Sequence, residues 1–282
     1  MKTTKTHWVV PAGAYTVKSL VKALRILEFL AEGDQASYTL TELSRGLRLH
    51  VSTVHRLLVN LVRQGFVESD PATGGYRLGF RVLRMGLKVL DQLDFRRVAD
   101  PLLRQLNRQT EESVHLAILQ DNRAISIEKF GSPQPMGLTA PLGGVLPLHS
   151  SGVGKALLAF QSDDRAMTIV ETAGLERYTP HTITSPAQLR KELAHIRQEG
   201  FSIDNEEAVE GLRCVAAPIL DHTGKVIAAF SVAGPTTRVT PARVPAISKL
   251  VKETSRQISY RLGYKGFSPG VETSSGEGEA ST

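Results

Sequence analysis

Apolar residues recur with a helical period three times in the first third of the chain. A first amphipathic helix, ending near Gly33, is predicted by Val17, Leu20, Leu24 and Leu27. A second helix is predicted from Leu40, because Thr39 and Glu42 have the spacing of a capping box, and Gly46 suits its carboxyl end. A third helix follows the turn at residues 47–50 and carries its apolar face at Val54, Leu57, Leu58 and Leu61. The three helices are expected to share one core.

The polar face of the third helix has the composition of a DNA-reading surface. Small hydrogen-bonding residues and one cation stand opposite the apolar face, and a helix of this kind can lie in the major groove. The alternative is an ordinary helical hairpin with a solvated face. The candidate DNA-binding residues on the helix and in the turn before it are Ser52, Thr53, His55, Arg56, Arg48 and His50.

A β-hairpin is predicted directly after the third helix. Residues 66–68 and 76–78 form short strands, and the turn formers of residues 70–75 lie between them. A hairpin in this position is typical of the wing in a winged helix-turn-helix domain. Three helices with a wing are much more specific for DNA binding than the helix pair alone.

The next predicted helix, residues 79–93, is apolar around most of its circumference. Two apolar stripes cover about 200° of arc, where about 100° is usual for a surface helix. Such a helix needs another surface, and we expect the same helix of a second subunit. Burial against the chain's own second domain is the alternative. The apolar stripes consist of Phe80, Leu83, Leu87 and Leu90 and of Val82, Met85, Val89 and Leu93.

Strands and helices alternate in the remainder of the chain, which predicts an α+β second domain. The predicted helices are residues 95–110, which must accommodate Pro101, residues 185–200, and one opening at Thr240-Pro241 whose first turn Pro245 should delay or bend. The predicted strands are residues 115–119, 124–128, 215–220 and 226–233. The expected domains are a mobile arm (1–16), a winged helix-turn-helix (17–79), a linker helix (80–94), an effector-binding domain (95–264) and a disordered tail (265–282).

Charge is distributed unevenly along the chain. Residues 1–90 contain 13 Lys and Arg against 6 Asp and Glu, a net +7, whereas the remainder has 21 against 22, a net −1. A basic first third suits an anion such as DNA. The single cysteine, Cys214, excludes an internal disulfide. No apolar run reaches the roughly 18 residues of a membrane span, and the first residues lack a signal-peptide core, so a cytoplasmic protein without membrane contact is expected.

The most informative segment of the second domain is residues 147–160, PLHSSGVGKALLAF. Small residues open an apolar helix here, so exposed amides and the helix dipole could hold a carboxylate or phosphate. Close packing of glycines is the alternative. A phosphate-binding loop is excluded, because His149 and Ala156 replace its glycine and hydroxyl residue. No metal ligand spacing or catalytic triad is recognisable, so no cofactor and no metal is expected.

These motifs together resemble the IclR family of bacterial transcription regulators over about residues 17–264. The matching segments include LTELSRGLRLHVSTVHRLLVNLVRQGFVE, YRLGFRVLRMG, LPLHSSGVGKALLAF and EGFSIDNEEAVEGLRCVAAPILDHTGKVIAAFSVAGP. The resemblance implies a winged helix-turn-helix, a linker helix and a C-terminal domain similar to GAF and PAS sensors, with a central antiparallel sheet. It also implies homodimers or tetramers that bind double-stranded DNA at palindromic operators and respond to a small organic acid.

The same resemblance assigns residues to an effector site. It places the acid's carboxylate at the helix start and its other oxygens against three polar side chains, with Leu146 in the apolar wall. Some family members have a hydroxyl where this chain has Ala233, so a larger or more apolar effector than the smallest keto acids is expected. The candidate effector-binding residues are Leu146, Ser151, Gly152, Val153, Gly154, Asp204, Cys214 and Ser231.

Three functions remain open at this point. The favoured one is a repressor of a catabolic operon, released by its effector, with transcriptional activation as a variant. The second is an enzyme, a small-acid hydrolase or reductase with Cys214 as nucleophile. The third is a sensor module that acts through protein partners without binding DNA.

Overall fold

The computed structural model describes residues 16–71, 73–91, 94–134 and 141–266. Residues 1–15 of the predicted arm (1–16) and residues 267–282 of the predicted tail (265–282) lie outside these ranges. The chain divides into two compact units between Gln92 and Leu93. This division falls inside the span predicted as the linker helix.

The first unit contains the predicted helices and hairpin. Its helices are α1 (Lys18–Glu32), α2 (Leu40–Leu47), α3 (Val51–Arg63) and α4 (Phe80–Asp91). Its strands, β1 (Val67–Ser69) and β2 (Tyr76–Leu78), pair antiparallel and form the wing. One core joins the first three helices and the wing through Ile26, Leu30, Tyr38, Leu43, Leu47, Val54, Leu58 and Val67.

The first helix buries a different part of its surface from the predicted one. Its buried residues are Ile26 and Leu30, whereas Leu20 and Leu24 are 56% and 49% exposed. The core reaches only the carboxyl half of α1, so the predicted packing of its first two turns was wrong. Those turns leave an apolar surface exposed.

The end of α2 also differs from the prediction. The helix continues through Gly46 to Leu47, and Arg48 takes the left-handed conformation at φ 53°. Gly46 is required for packing instead, since a Cβ there would lie 2.4 Å from the Phe29 ring. The capping box of Thr39 and Glu42 is present as predicted.

The second unit is a six-stranded antiparallel sheet with helices packed against it. The strands are β3 (Ser113–Gln120), β4 (Arg123–Phe130), β5 (Val145–Leu146), β6 (Ser202–Asn205), β7 (Leu212–Leu220) and β8 (Val226–Pro235), in the order β5-β4-β3-β8-β7-β6. The helices are α5 (Asp94–Thr110), α6 (Gly152–Ala159), α7 (Asp163–Ala173), α8 (Pro186–Glu199) and α9 (Val244–Arg261). The predicted α+β class and antiparallel sheet are confirmed.

Several boundaries in this unit were predicted less well. The last helix begins at Val244, not at Thr240-Pro241, with Pro245 in its first turn as expected. Ser185 precedes α8 but makes no side-chain cap hydrogen bond. Pro101 lies inside a continuous α5. The short strand β5 and helix α7 were not predicted.

Helix α6 lies at the centre of the second unit. All eight of its residues are buried, including Lys155. The lysine ammonium is held 2.5 Å from Glu207 Oε1 and 3.0 Å from Glu192 Oε1. A buried ammonium needs such partners because burial without them is costly. The ion pair of Lys155 with Glu207 therefore fixes α6 to the loop that follows β6.

Candidate functional site

The candidate DNA-contacting residues lie on one exposed part of the first unit. Ser52, His55 and Arg56 are exposed on α3, and Thr53 is half-buried beside them. The Arg56 guanidinium has no ion-pair partner within the described ranges. Its charge is therefore available for an anion or a base edge.

His50 and Ser52, two of these candidates, also contact each other within the domain. His50 is the N-cap of α3, and its Nδ1 accepts a hydrogen bond from the Ser52 amide at 3.4 Å. The same nitrogen lies 2.8 Å from the Ser52 hydroxyl. Arg48 is exposed in the turn before the helix. The turn thus orients the amino end of α3, where recognition helices commonly contact bases.

The second unit encloses a cavity of about 290 Å³ between the start of α6 and one face of the sheet. Seven of the eight candidate effector-binding residues line it, namely Leu146, Ser151, Gly152, Val153, Asp204, Cys214 and Ser231. Six further residues line the same cavity: His115, Pro147, Ala208, Val209, Leu212 and Ala233. Residues from six segments of the chain therefore meet at one place.

Gly154 is the candidate that does not line the cavity. Its amide donates to the Ser151 hydroxyl at 3.1 Å, which caps α6. A Cβ at this position would lie 2.4 Å from the Pro147 carbonyl oxygen. Gly154 thus allows the helix to pack closely against the preceding segment and offers no donor to a ligand.

The helix start offers two free amides to the cavity. Gly152 and Val153 are the first two helical residues, so their N–H groups have no partner within the helix. No other acceptor for them occurs in the described parts of the chain. A Cβ on Gly152 would lie 3.3 Å from the Cβ atoms of Cys214 and Ala216, so the glycine brings these amides close to the sheet. Such amides suit a carboxylate.

Strand pairing aligns the polar residues of the cavity across the sheet. Asp204 pairs with Cys214 and Cys214 with Ala233, while Ser231, two residues before Ala233, pairs with His115. Directly paired residues, and residues two apart on a strand, point to one face. Four successive strands, from the edge strand β6 through β7 and β8 to β3, therefore present a carboxyl, a thiol, a hydroxyl and an imidazole in order.

Burial changes the protonation of this row. It raises the pKa of Asp204 to about 7, although hydrogen bonds from the Glu207 and Ala208 amides, at 2.8 and 3.3 Å, act in the opposite direction. Burial also raises the pKa of the Cys214 thiol, and the neighbouring Asp204 adds to the effect. Burial, with a smaller contribution from Lys129, lowers the pKa of His115 to about 4. At pH 7 His115 and Cys214 are thus neutral, whereas Asp204 is about half protonated.

The raised pKa of Cys214 makes the thiol a poor nucleophile, since the thiolate is the reactive form. The described residues contain no group of three or more His, Cys, Asp and Glu that could hold a metal ion. No described helix is long and apolar enough to cross a membrane.

Sequence reasoning missed His115. The residue lies in a predicted strand. To predict that its side chain faces the cavity, one must know that this strand pairs with the strand of Ser231. Ala233 was noticed for the hydroxyl that it lacks, and the structure places it in the cavity wall.

Comparison with known proteins gives two matching family models. The IclR helix-turn-helix domain matches residues 19–71, and the C-terminal domain of the bacterial transcriptional regulator IclR matches residues 87–260. The chain is 37% identical to the acetate operon repressor of Salmonella typhimurium over 249 residues, 88% of this chain and 90% of that protein. It is 36% identical to the transcriptional repressor AllR of Escherichia coli over 255 residues, 90% of this chain and 94% of that protein.

Solved structures agree with these matches. One is an IclR homologue from Microbacterium hydrocarbonoxydans in complex with 4-hydroxybenzoate, with a TM-score of 0.77 at 28% identity over 86% of this chain and 98% of the other. Another is IclR of Thermotoga maritima, with a TM-score of 0.72 at 30% identity over 88% and 100% of the two chains.

Proposed function

Because this chain belongs to the IclR family of bacterial transcriptional regulators, we propose that it represses a catabolic operon by binding a palindromic operator as a dimer and releases it when a small organic acid binds. The family and its characterised relatives make the chain a DNA-binding transcriptional repressor with a ligand-binding C-terminal domain, not an enzyme. A repressor of chromosomal genes acts in the cytoplasm, where its DNA lies.

The DNA contacts proposed here divide into two kinds. Basic residues of the first unit neutralise phosphates and determine overall affinity, which should fall as salt rises. Arg56 and its neighbours on the exposed face of α3 contact base edges and determine sequence preference. The wing of β1 and β2 follows α3 directly and is proposed to lie along the DNA backbone.

The observation that supports the acid effector is the pair of amides at the start of α6, which have no acceptor among the described residues and lie in a cavity that Asp204 also lines. The acid's carboxylate is proposed to accept hydrogen bonds from Gly152 and Val153. A protonated Asp204 would donate to a ligand oxygen, with Cys214 and Ser231 beside it. Leu146 and Val153 supply apolar wall, so the cavity suits an organic acid better than a bare inorganic anion.

The dimer is proposed from exposed apolar surface in the first unit. Phe80, Leu83 and Val89 on α4 are 71%, 53% and 58% exposed, and the first turns of α1 are apolar and exposed as well. Exposed apolar surface of this extent marks an interface. A second copy would cover it and place two copies of α3 on successive half-sites.

Effector control follows if the acid binds one subunit arrangement better than the other. Binding then shifts the population toward that arrangement by its difference in affinity. Release occurs if the favoured arrangement no longer matches the half-site spacing. If the acid instead tightens operator binding, the chain is an activator, or a repressor for which the acid is the co-repressor.

The test is operator binding by fluorescence anisotropy, on a palindromic fragment found by footprinting DNA beside the gene. Arg56→Ala should weaken specific binding by about 1–3 kcal/mol, since it removes one base contact. Arg63→Ala removes the same charge from the exposed carboxyl end of α3 and is the matched control, since any loss of a phosphate contact there should be the same for all DNA sequences. An unchanged footprint with Arg56→Ala would contradict the DNA-contact assignment.

The same experiment with sugar, keto and aromatic acids tests the effector site. Asp204→Ala should bind the operator with wild-type affinity and lose the response to the acid that releases the wild type. Asp164→Ala, at an exposed carboxylate on α7, should keep the response. A retained response in Asp204→Ala would move the effector site elsewhere.

A further inference from the structure

His115 is a buried cavity residue that the proposed carboxylate site leaves unused. It lies on β3, is 5% exposed and lines the cavity. Its Nδ1 is buried and has no hydrogen-bond partner among the described residues. The imidazole thus has hydrogen-bonding capacity that no described residue uses, and burying such a group without a partner costs about 1–3 kcal/mol.

The position of His115 is remote from the carboxylate end of the cavity. Gly152 packs against Cys214 on β7, and β8 separates β7 from β3. Two strand spacings make about 10 Å between these backbones. A ligand that contacts both the start of α6 and His115 therefore needs a polar group at each end. Apolar residues line the cavity between the two ends, including Leu146, Val153, Leu212 and Ala233.

The protonation of the imidazole restricts the group that it would contact. Burial lowers the pKa of His115 to about 4. The positive charge of Lys129, which pairs with His115 from the neighbouring strand β4, contributes to this shift. The ring is therefore neutral at pH 7, and one of its nitrogens is a donor and the other an acceptor, depending on the tautomer. A neutral hydroxyl can satisfy both forms, whereas a second carboxylate would have to be desolvated without a counter-charge from the ring.

We propose that His115 determines effector specificity by hydrogen bonding to a hydroxyl at the far end of the acid. The effector class is then a monocarboxylate with an apolar middle and a terminal hydroxyl. This inference rests on the proposed carboxylate site at the start of α6. It adds a contact that the carboxylate site alone does not require.

Matched pairs of acids test the contact. Isothermal titration calorimetry on the full chain would compare benzoate with 4-hydroxybenzoate and butanoate with 4-hydroxybutanoate, with succinate as the dicarboxylate. The wild type should bind the hydroxylated member of at least one pair roughly tenfold or more tightly, and more tightly than succinate. His115→Leu should bind both members of that pair equally. His115→Asn should restore part of the preference, since its amide can donate or accept a hydrogen bond as the imidazole does.

Controls separate this contact from folding and from the carboxylate site. His149→Leu makes the same change at a histidine that is 4% exposed but outside this cavity, and it should keep the hydroxyl preference. Melting of each variant without ligand shows whether it folds. If His115→Leu does not fold, the hydroxyl preferences of the wild type and of His115→Asn are compared to test the contact.

The outcomes distinguish the two proposals. Equal affinities within each pair, a preference that survives His115→Leu, or tighter binding of succinate would overturn the role of His115 while leaving the acid site intact. Binding of the plain acids that is lost in Asp204→Ala supports the acid site by itself. If no acid of the panel binds, the acid site fails and the His115 contact fails with it.

Discussion

At the scale of single residues, the protonation of Asp204 has the largest consequence. Its pKa is raised to about 7 by burial, so the folded chain favours the protonated carboxyl. The sign for stability follows directly: the contribution is fully present below the unfolded pKa near 3.8 and is lost as pH rises through about 7. A ligand anion beside this carboxyl would favour its protonated form further.

Effector affinity should therefore fall with rising pH. Above pH 7 the wild type must take up a proton at Asp204 when it binds an acid anion, so affinity should fall by about tenfold per pH unit. Asp204→Asn, which cannot ionise, should show a flat profile. Calorimetry between pH 6 and 8.5, with an acid whose own pKa is below 5, measures both profiles.

Other titratable groups at the cavity do not reproduce this profile. His115 is already neutral throughout that range, and the thiol of Cys214 stays protonated because its pKa is raised. Glu207, which contacts Lys155, has a raised pKa as well, for the same reason of burial. Adding Glu207→Gln to Asp204→Asn measures the contribution of Glu207 to the pH dependence of effector affinity. If affinity still falls with pH in Asp204→Asn, the proton taken up on binding belongs to another group.

At the scale of secondary-structure elements, α6 shows how packing and ligand binding depend on the same glycines. Gly152 brings the helix start to the sheet, and Gly154 lets it pass close to the backbone of Pro147 and Leu148. The hydroxyl of Ser202 also donates to the Gly152 carbonyl at 2.7 Å. These contacts hold the start of α6 against β6, β7 and the segment that follows β5.

Gly154→Ala should accordingly destabilise the chain. The new Cβ would lie 2.4 Å from the Pro147 oxygen and 2.6 Å from Leu148 Cα, and overpacking of this kind costs about 1–3 kcal/mol. Scanning calorimetry should show a lower melting temperature. Gly86→Ala on α4 is the matched control, since its Cβ would meet nothing within 4 Å and alanine favours the helix by about 1 kcal/mol. Equal melting of the two variants would contradict this account of α6.

At the scale of the whole molecule, exposed apolar surface is the feature that a single chain does not explain. Helix α4 exposes five large apolar side chains, Phe80, Leu83, Met85, Leu87 and Val89. The first turns of α1 add Val17, Leu20, Val21 and Leu24. The dimer proposed above would bury this surface.

Leu87→Glu should therefore weaken self-association by tenfold or more, because it places a charge in an apolar interface. Palindromic operator binding should weaken with it, since half-sites would be bound singly. Sedimentation velocity and anisotropy measure the two effects. Lys88→Glu changes the neighbouring exposed residue, which belongs to neither apolar stripe, and should leave the association intact. A wild-type chain that is monomeric at micromolar concentration would contradict the dimer.

The sequence by itself determined the elements whose causes are local. Helical periodicity, the capping box at Thr39 and the turn formers of residues 70–75 specify the winged helix-turn-helix, because each depends on residues close in the chain. Motif order also identified the family, and with it seven residues that line the cavity.

Only the tertiary structure decided which distant residues meet. The cavity row depends on the register of four strands, and pairing across the sheet brings His115 to Ser231 although 116 positions separate them in the numbering. Helix α1 buries Ile26 and Leu30 and not Leu20, because of how far the core of the first unit extends along the helix. Gly154 was indistinguishable from Gly152 by composition, and the backbone of Pro147 and Leu148 alone separates their roles. Register, core extent and close backbone contact are non-local, so no local pattern reports them.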